Sequence, residues 1–104
     1  MTVDAPATAI WEALGEVIDP ELGLSITELG LVYEAELDAD GVAHVVFTTT
    51  TPVCPLGEYL TRLIEFRLRD VPGVDHVEIE LVRQPLWHPD MMTDDARRKL
   101  GWEV

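Results

Sequence analysis

Leu31-Val-Tyr-Glu-Ala-Glu-Leu-Asp-Ala-Asp-Gly-Val-Ala-His-Val-Val-Phe-Thr-Thr-Thr50 is the stretch on which the fold turns. Leu31, Tyr33, Ala35 and Leu37 alternate with Val32, Glu34 and Glu36, a period of two that specifies a strand with one buried face. Asp38-Ala-Asp-Gly41 is a tight connection built from turn-forming residues. From Val42 to Thr50 the alternation resumes. Ala43, Val45 and Phe47 face one way, His44, Val46 and Thr48 the other, and the two segments make a hairpin.

Upstream, Ile10, Leu14, Val17 and Ile18 recur at helical spacing, and Thr8 is placed to cap that helix. The spacing predicts a helix over Thr8–Ile18 behind a short flexible lead, residues 1–7. Pro20 ends it and pushes Asp19 toward extended geometry. Residues 21–30 form a loop with glycines at 23 and 30 and apolar anchors at Leu22, Leu24, Ile26 and Leu29. Downstream, Thr51-Pro-Val-Cys-Pro55 is a compact loop. Leu56, Leu60, Leu63, Ile64 and Leu68 then line one face of a second helix running to about Asp70. Val74–Val82 alternates as a third strand, with Val77, Ile79 and Leu81 inward and His76, Glu78 and Glu80 outward. A proline-containing loop, 84–92, holds Trp87, and Thr93 caps a last helix, Asp94–Leu100. The order αββαβα predicts an α+β, two-layer domain occupying the whole chain, 1–104. A small mixed three-stranded sheet is covered by helices on one face. Its other face carries Glu34, Glu36, His44, His76, Glu78 and Glu80.

The formal net charge is −13 over 104 residues. Such a surface repels phosphate backbones and anionic bilayers, so neither nucleic acid nor membrane is an expected partner; it suits a basic protein partner, or serves solubility or a salt-adapted host. No apolar run approaches the roughly 20 residues that span a bilayer. The N-terminus lacks the basic start of a secretory signal. The sequence has one cysteine, which fits a reducing compartment. The expected location is the cytoplasm.

Cys54 leads the candidates for chemistry. It precedes Pro55, and proline is favoured as the first residue of a helix. That places Cys54 at the helix cap, where unpaired N–H groups and the dipole favour a thiolate, the form that attacks electrophiles and binds metals. A small buried hydrophobe is the other reading of a free cysteine. Asp19 and Glu21 set two carboxylates around Pro20. They suit metal ligation or partner contact, or simply a helix stop with a cap. Thr50 and Thr51 lie close enough in sequence to hydrogen-bond a thiolate or its ligand. The histidines at 44, 76 and 88 have no metal-binding spacing, and no CxxC, HExxH or glycine-rich phosphate loop is present. Trp87 and Trp102 are packing or partner-contact residues.

Five segments occur in one register: Asp19-Pro-Glu-Leu-Gly-Leu24, Ile26-Thr-Glu-Leu-Gly-Leu-Val-Tyr33, Thr50-Thr-Pro-Val-Cys-Pro-Leu56, Pro72-Gly-Val74 and Pro85-Leu-Trp-His-Pro-Asp-Met-Met92. Together they resemble the metal–sulfur cluster biosynthetic proteins of the PaaD/SufT-like family, whose relatives include the eukaryotic targeting subunit of the cytosolic iron–sulfur assembly machinery. The resemblance spans about Ile10 to Trp102. It implies an α+β fold and a role in maturing iron–sulfur proteins. The expected partners are the assembly machinery and recipient apo-proteins. The signature cysteine falls on Cys54, the acidic motif on Asp19 and Glu21 with Glu28 following, the threonine approach on Thr50 and Thr51, and the tryptophan motif on Trp87 and Met92. Val53 departs from the small residue common before the cysteine. The cysteine-bearing extension of the phenylacetate-pathway relatives is lacking, which weakens a link to that pathway.

Iron–sulfur clusters usually take about four protein ligands, and Cys54 is one. A cluster is therefore expected to be transient or bridged between two chains of a homodimer, with Cys54 as metal ligand and Asp19 and Glu21 shaping its rim. An adaptor that holds recipients, with Cys54 used in docking or handover, is the neighbouring reading. Two other classes stand beside these: a thiol-dependent enzyme with Cys54 as nucleophile, and a pure interaction module. The enzyme needs a base and a pocket that the sequence does not display, so a non-enzyme is expected.

Overall fold

The computed structural model describes residues 4–50 and 54–101. Six regular elements follow one another as α1 (Asp4–Leu14), β1 (Val32–Leu37), β2 (Val42–Phe47), α2 (Cys54–Leu68), β3 (His76–Leu81) and α3 (Asp94–Lys99), with a 3-10 turn at Pro89–Met91. This is the αββαβα order expected from the hydrophobic periods. β2 lies at the centre of the sheet, antiparallel to β1 and parallel to β3. A parallel neighbour cannot be reached by a tight turn, so α2 is the crossover.

The core lies between sheet and helices. Ala43, Val45 and Phe47 of β2 are buried, and so are Ile10 and Leu14 of α1 and Leu60, Ile64 and Leu68 of α2. The α2 residues recur every four positions, which keeps them on one stripe. Each of the larger side chains contributes about 1.5–3 kcal/mol by leaving water. The outward residues Glu34, Glu36, Glu78 and Glu80 are exposed, so the second face of the sheet is open, as the alternation requires.

The strands are shorter than expected, β2 stopping at Phe47 and β3 running His76–Leu81, and three further departures bear on the site. First, α1 begins at Asp4 and ends at Leu14 instead of running Thr8–Ile18, so Thr8 lies within the helix and does not cap it. Pro20 has no N–H, and its ring collides with the carbonyl four residues earlier, which removes the helix's last turn. Residues 17–19 are used in a tight loop instead. The Ile26 N–H donates to the Val17 carbonyl and the Asp19 N–H to the Leu24 carbonyl, each at 2.9 Å. Val17 is thereby buried, and Ile18 is turned out to solvent.

Second, β1 carries a bulge. Val32 pairs with Phe47 and Glu34 with Val46, leaving Tyr33 as an extra residue. The alternation is therefore interrupted. Val32, Ala35 and Leu37 pack against the core, and Tyr33 turns away. Its hydroxyl donates to the Pro85 carbonyl at 2.7 Å. Third, the helical residues of α2 start at Cys54 itself, with Pro55 second, so the cysteine lies one position inside the helix. The expected cap at Thr93 is found, its hydroxyl accepting the Ala96 N–H at 3.1 Å.

Candidate functional site

The parallel strands β2 and β3 end side by side, Phe47 opposite Leu81. The chain then leaves β2 through the threonine run and enters α2. Gly57, in the first turn of α2, lies so close to β3 that a Cβ there would sit 2.6 Å from Leu81 Cδ2. The start of α2, and with it the Cys54 backbone, is thus held at the carboxyl ends of two parallel strands. Open α/β sheets gather ligands at such ends. No acidic residue occupies the first turn of α2, so its positive dipole end is not offset from within the helix.

Thr48 and Thr49 are buried, and Thr50 is half-buried. The Thr48 N–H donates to the Leu31 carbonyl at 2.9 Å, which ties the run to the segment before β1. Thr49 accepts a 2.8 Å hydrogen bond from Arg83 Nη1. Thr51 lies outside the described residues. Arg83 is the residue that sequence reading missed. It stands two positions beyond Leu81, as Thr49 stands two beyond Phe47, so the parallel register brings the two together.

Asp19 is fully buried. Its Oδ1 accepts the Glu21 N–H at 2.7 Å and the Leu22 N–H at 3.2 Å, closing the turn around Pro20. Its Oδ2 is buried and has no hydrogen-bond partner among the described residues. Glu21 is exposed. Three successive backbone bonds connect this loop to the threonine run: Ile26 to Val17, Leu31 to Ile26 and Thr48 to Leu31. Neither Asp19 nor Glu21 forms a direct hydrogen bond with Thr50. Among the described residues, no three His, Cys, Asp or Glu side chains gather as a metal site.

The profile of the iron–sulfur cluster assembly proteins matches residues 7–81. The chain belongs to that family. An Fe–S protein maturation auxiliary factor, SufT, of Staphylococcus aureus is 40% identical over 85 residues, covering 82% of this chain and 97% of that protein. An iron–sulfur cluster carrier protein of Mycobacterium tuberculosis is 39% identical over 92 residues, 88% of this chain but 22% of that longer protein. A crystal structure of a domain of unknown function from Bacillus anthracis superposes with a TM-score of 0.88 at 33% identity, over 96% of this chain and 95% of that one. The resemblance to SufT-like cluster assembly proteins is borne out, and so is the α+β architecture.

Within this family member, three residues tied to the resemblance have structural work. Glu28 is held by its own turn: its N–H donates to Ser25 Oγ at 3.1 Å, and the Ser25 hydroxyl lies 3.5 Å from Glu28 Oε1. Its carboxylate also meets Lys99 Nζ at 3.1 Å. Trp87 donates its indole N–H to the Leu29 carbonyl at 2.7 Å and packs on the core, as buried Met92 does. Trp102 lies outside the described residues. His44 is bracketed by Asp38 Oδ2 at 3.0 Å and Glu78 Oε1 at 3.2 Å. The hydrogen bond to Asp38 raises the imidazole above its ordinary value and lowers the carboxyl of Asp38. His88 serves the 3-10 turn, accepting the Asp90 N–H at 3.1 Å.

Proposed function

We propose that this chain matures iron–sulfur proteins by passing a cluster through Cys54, from an assembly partner to a recipient apo-protein. The observation that carries this is the placement of its one cysteine as the first residue of a fifteen-residue helix, against the ends of two parallel strands. A thiolate is the ligand iron takes, and a helix whose first turn carries no acidic residue favours it.

One thiolate falls short of the roughly four ligands a cluster needs. The cluster is therefore shared, with a second copy of the chain or with the donor or recipient protein supplying the rest. Handover is then ligand exchange. The Cys54 sulfur gives up its proton as it bonds iron, the displaced donor thiolate takes a proton up, and no electron moves. Asp19, Glu21 and Thr50 are the candidates for the rim of this site, and the fourth candidate, Thr51, lies outside the described residues. A buried oxygen without a partner costs about 1–3 kcal/mol, so a donor group or metal reaching Asp19 Oδ2 would recover that loss. The chain assists maturation without turnover of its own, in the cytoplasm. No described helix is long and apolar enough to cross a membrane.

The test is anaerobic reconstitution with iron and sulfide on wild type and Cys54→Ser, reading visible spectrum, acid-labile sulfide and mass in solution, followed by transfer to an apo-dehydratase. A Cys54-dependent chromophore that reactivates the recipient supports the handover. Transfer that proceeds equally in Cys54→Ser overturns it. Recipient binding that survives without any chromophore would make the chain an adaptor.

A further inference from the structure

The open face of the sheet is ordered by register. Glu34, Val46 and Glu80 lie in one row across the three strands, and Glu36, His44 and Glu78 in the next. Neighbouring strands are about 4.8 Å apart, and alternate residues along one strand about 7 Å. Four carboxylates therefore share a patch about 10 Å across, each about 7 Å from its partner along the strand and so within the Debye length of about 8 Å at physiological salt. His44 is the basic group among them, and it is already held by Asp38 and Glu78. No ion pair reaches Glu34, Glu36 or Glu80 among the described residues. Arg83, the nearest cation in sequence, is directed to Thr49.

Val46 continues this face into an apolar groove of about 600 Å³, walled by Tyr33, Val82, Pro85 and Met91 with Glu34 on its rim. The Tyr33–Pro85 hydrogen bond fixes the far wall. Leu86, next to Pro85 in the chain, is 69% exposed.

We propose that this face docks an extended basic segment of another protein, one that carries a large apolar side chain for the groove. Lysine or arginine at alternate positions of an extended chain recurs at about 7 Å. That is the spacing of Glu34 and Glu36 along β1 and of Glu78 and Glu80 along β3. Charge selects this occupant over the others. A second copy in symmetric contact would set glutamates against glutamates. Nucleic acid and anionic bilayers are repelled for the same reason. The carboxylates do not gather as a metal site. The surface lies on the face opposite the helices and does not depend on Cys54 passing a cluster.

The probe is a nine-residue peptide alternating lysine with threonine around one central tryptophan, titrated into the full ¹⁵N-labelled chain at low salt. One control replaces every lysine by glutamate, and another replaces the tryptophan by alanine. The expected result is saturable shift changes at Tyr33, Glu34, Val46, Glu80 and Met91. Binding should weaken about threefold without the tryptophan, and at least tenfold in the exposed double variant Glu34→Lys/Glu80→Lys, whose spectrum reports its fold. The glutamate peptide should be silent. Shifts confined to other surfaces, indifference to the double variant, or equal binding of the glutamate peptide would overturn the proposal. So would a free protein whose mass doubles with concentration and whose signals broaden at this face, which would make a second copy the occupant.

Discussion

Two turns of this molecule are built alike and differ in one oxygen. At Asp38 the Oδ1 atom accepts the N–H groups of Asp40 and Val42 at 2.8 and 3.0 Å. At Asp19 it accepts those of Glu21 and Leu22. Each turn closes on a glycine with positive φ, Gly41 at 84° and Gly23 at 74°. The second oxygen separates them. Asp38 Oδ2 is exposed and paired with His44. Asp19 Oδ2 is buried and has no partner among the described residues. A turn needs only the first oxygen. The Asp38 turn uses its second on a neighbour, whereas the Asp19 turn holds a buried acceptor that no described residue uses.

The sharpest way to separate the two turns is at their glycines. Gly41→Ala is expected to cost about 3 kcal/mol, because left-handed strain adds to overpacking. Its Cβ would sit 2.7 Å from Asp75 Oδ2 and 3.2 Å from the Gly73 carbonyl. A Cβ at Gly23 meets nothing within 4 Å, so Gly23→Ala should cost about 1 kcal/mol, the strain alone. Urea denaturation of both variants checks the gap, and equal losses would mean the surroundings of Gly41 yield freely.

Next in size is the functional contrast. Asp19→Ala is expected to slow cluster transfer to an apo-recipient at least tenfold, about 1.4 kcal/mol of barrier, and Asp38→Ala to leave it unchanged. Equal rates in the two variants would remove Asp19 from the site. The stability contrast should run the other way. Asp38→Ala loses two backbone hydrogen bonds and the exposed pairing with His44, and should cost about 1 kcal/mol. Asp19→Ala loses two as well but also removes a buried unpaired oxygen worth about 1–3 kcal/mol, so the change should stay within about 1 kcal/mol despite full burial. A loss above about 2 kcal/mol would show that Oδ2 has a partner in solution.

The smallest effect is a pH dependence at the Asp38 turn. His44 is raised above 6.5 by Asp38, so its stabilisation is complete below that value and fades as pH rises through the raised one. Asp38 is lowered below 3.8, so its share is present above that pH and fades only as pH falls further. The urea midpoint of wild type should exceed that of His44→Gln slightly at pH 5.5 and converge with it above pH 8. An unchanging difference across that range would remove the imidazole charge from the turn.

Most of the architecture was legible because it rests on periods. Leu60, Ile64 and Leu68 repeat every four residues, and Ala43, Val45 and Phe47 every two, and each set can be buried in only one way. Tyr33 was misassigned because a bulge inserts one residue without leaving a glycine or proline to mark it. The end of α1 was misplaced because Val17 continues the helical spacing while reaching the core from an extended loop. The Thr49–Arg83 bond was invisible because nothing in the sequence fixes the register of a parallel pair. Of the candidate site, residue types could be read in advance: Cys54 at a helix start, Asp19 and Glu21 around a proline, threonines leading in. Whether a carboxylate oxygen has a partner depends on the whole fold around it, so the unpaired oxygen of Asp19 could not be anticipated.

The mixed sheet also orders events in time. β1 and β2 are joined by the short turn at Asp38–Gly41, so their pairing closes a small loop and can form early. β2 and β3 are separated by the whole of α2, and pairing them requires a much longer loop to close, with the larger entropy loss that brings. Cys54 lies inside that longer loop. Its surroundings are therefore among the last to assemble as the chain folds and among the first to come apart when the crossover opens. An iron–sulfur cluster seated there would act as a clasp on the slowest-closing part of the protein.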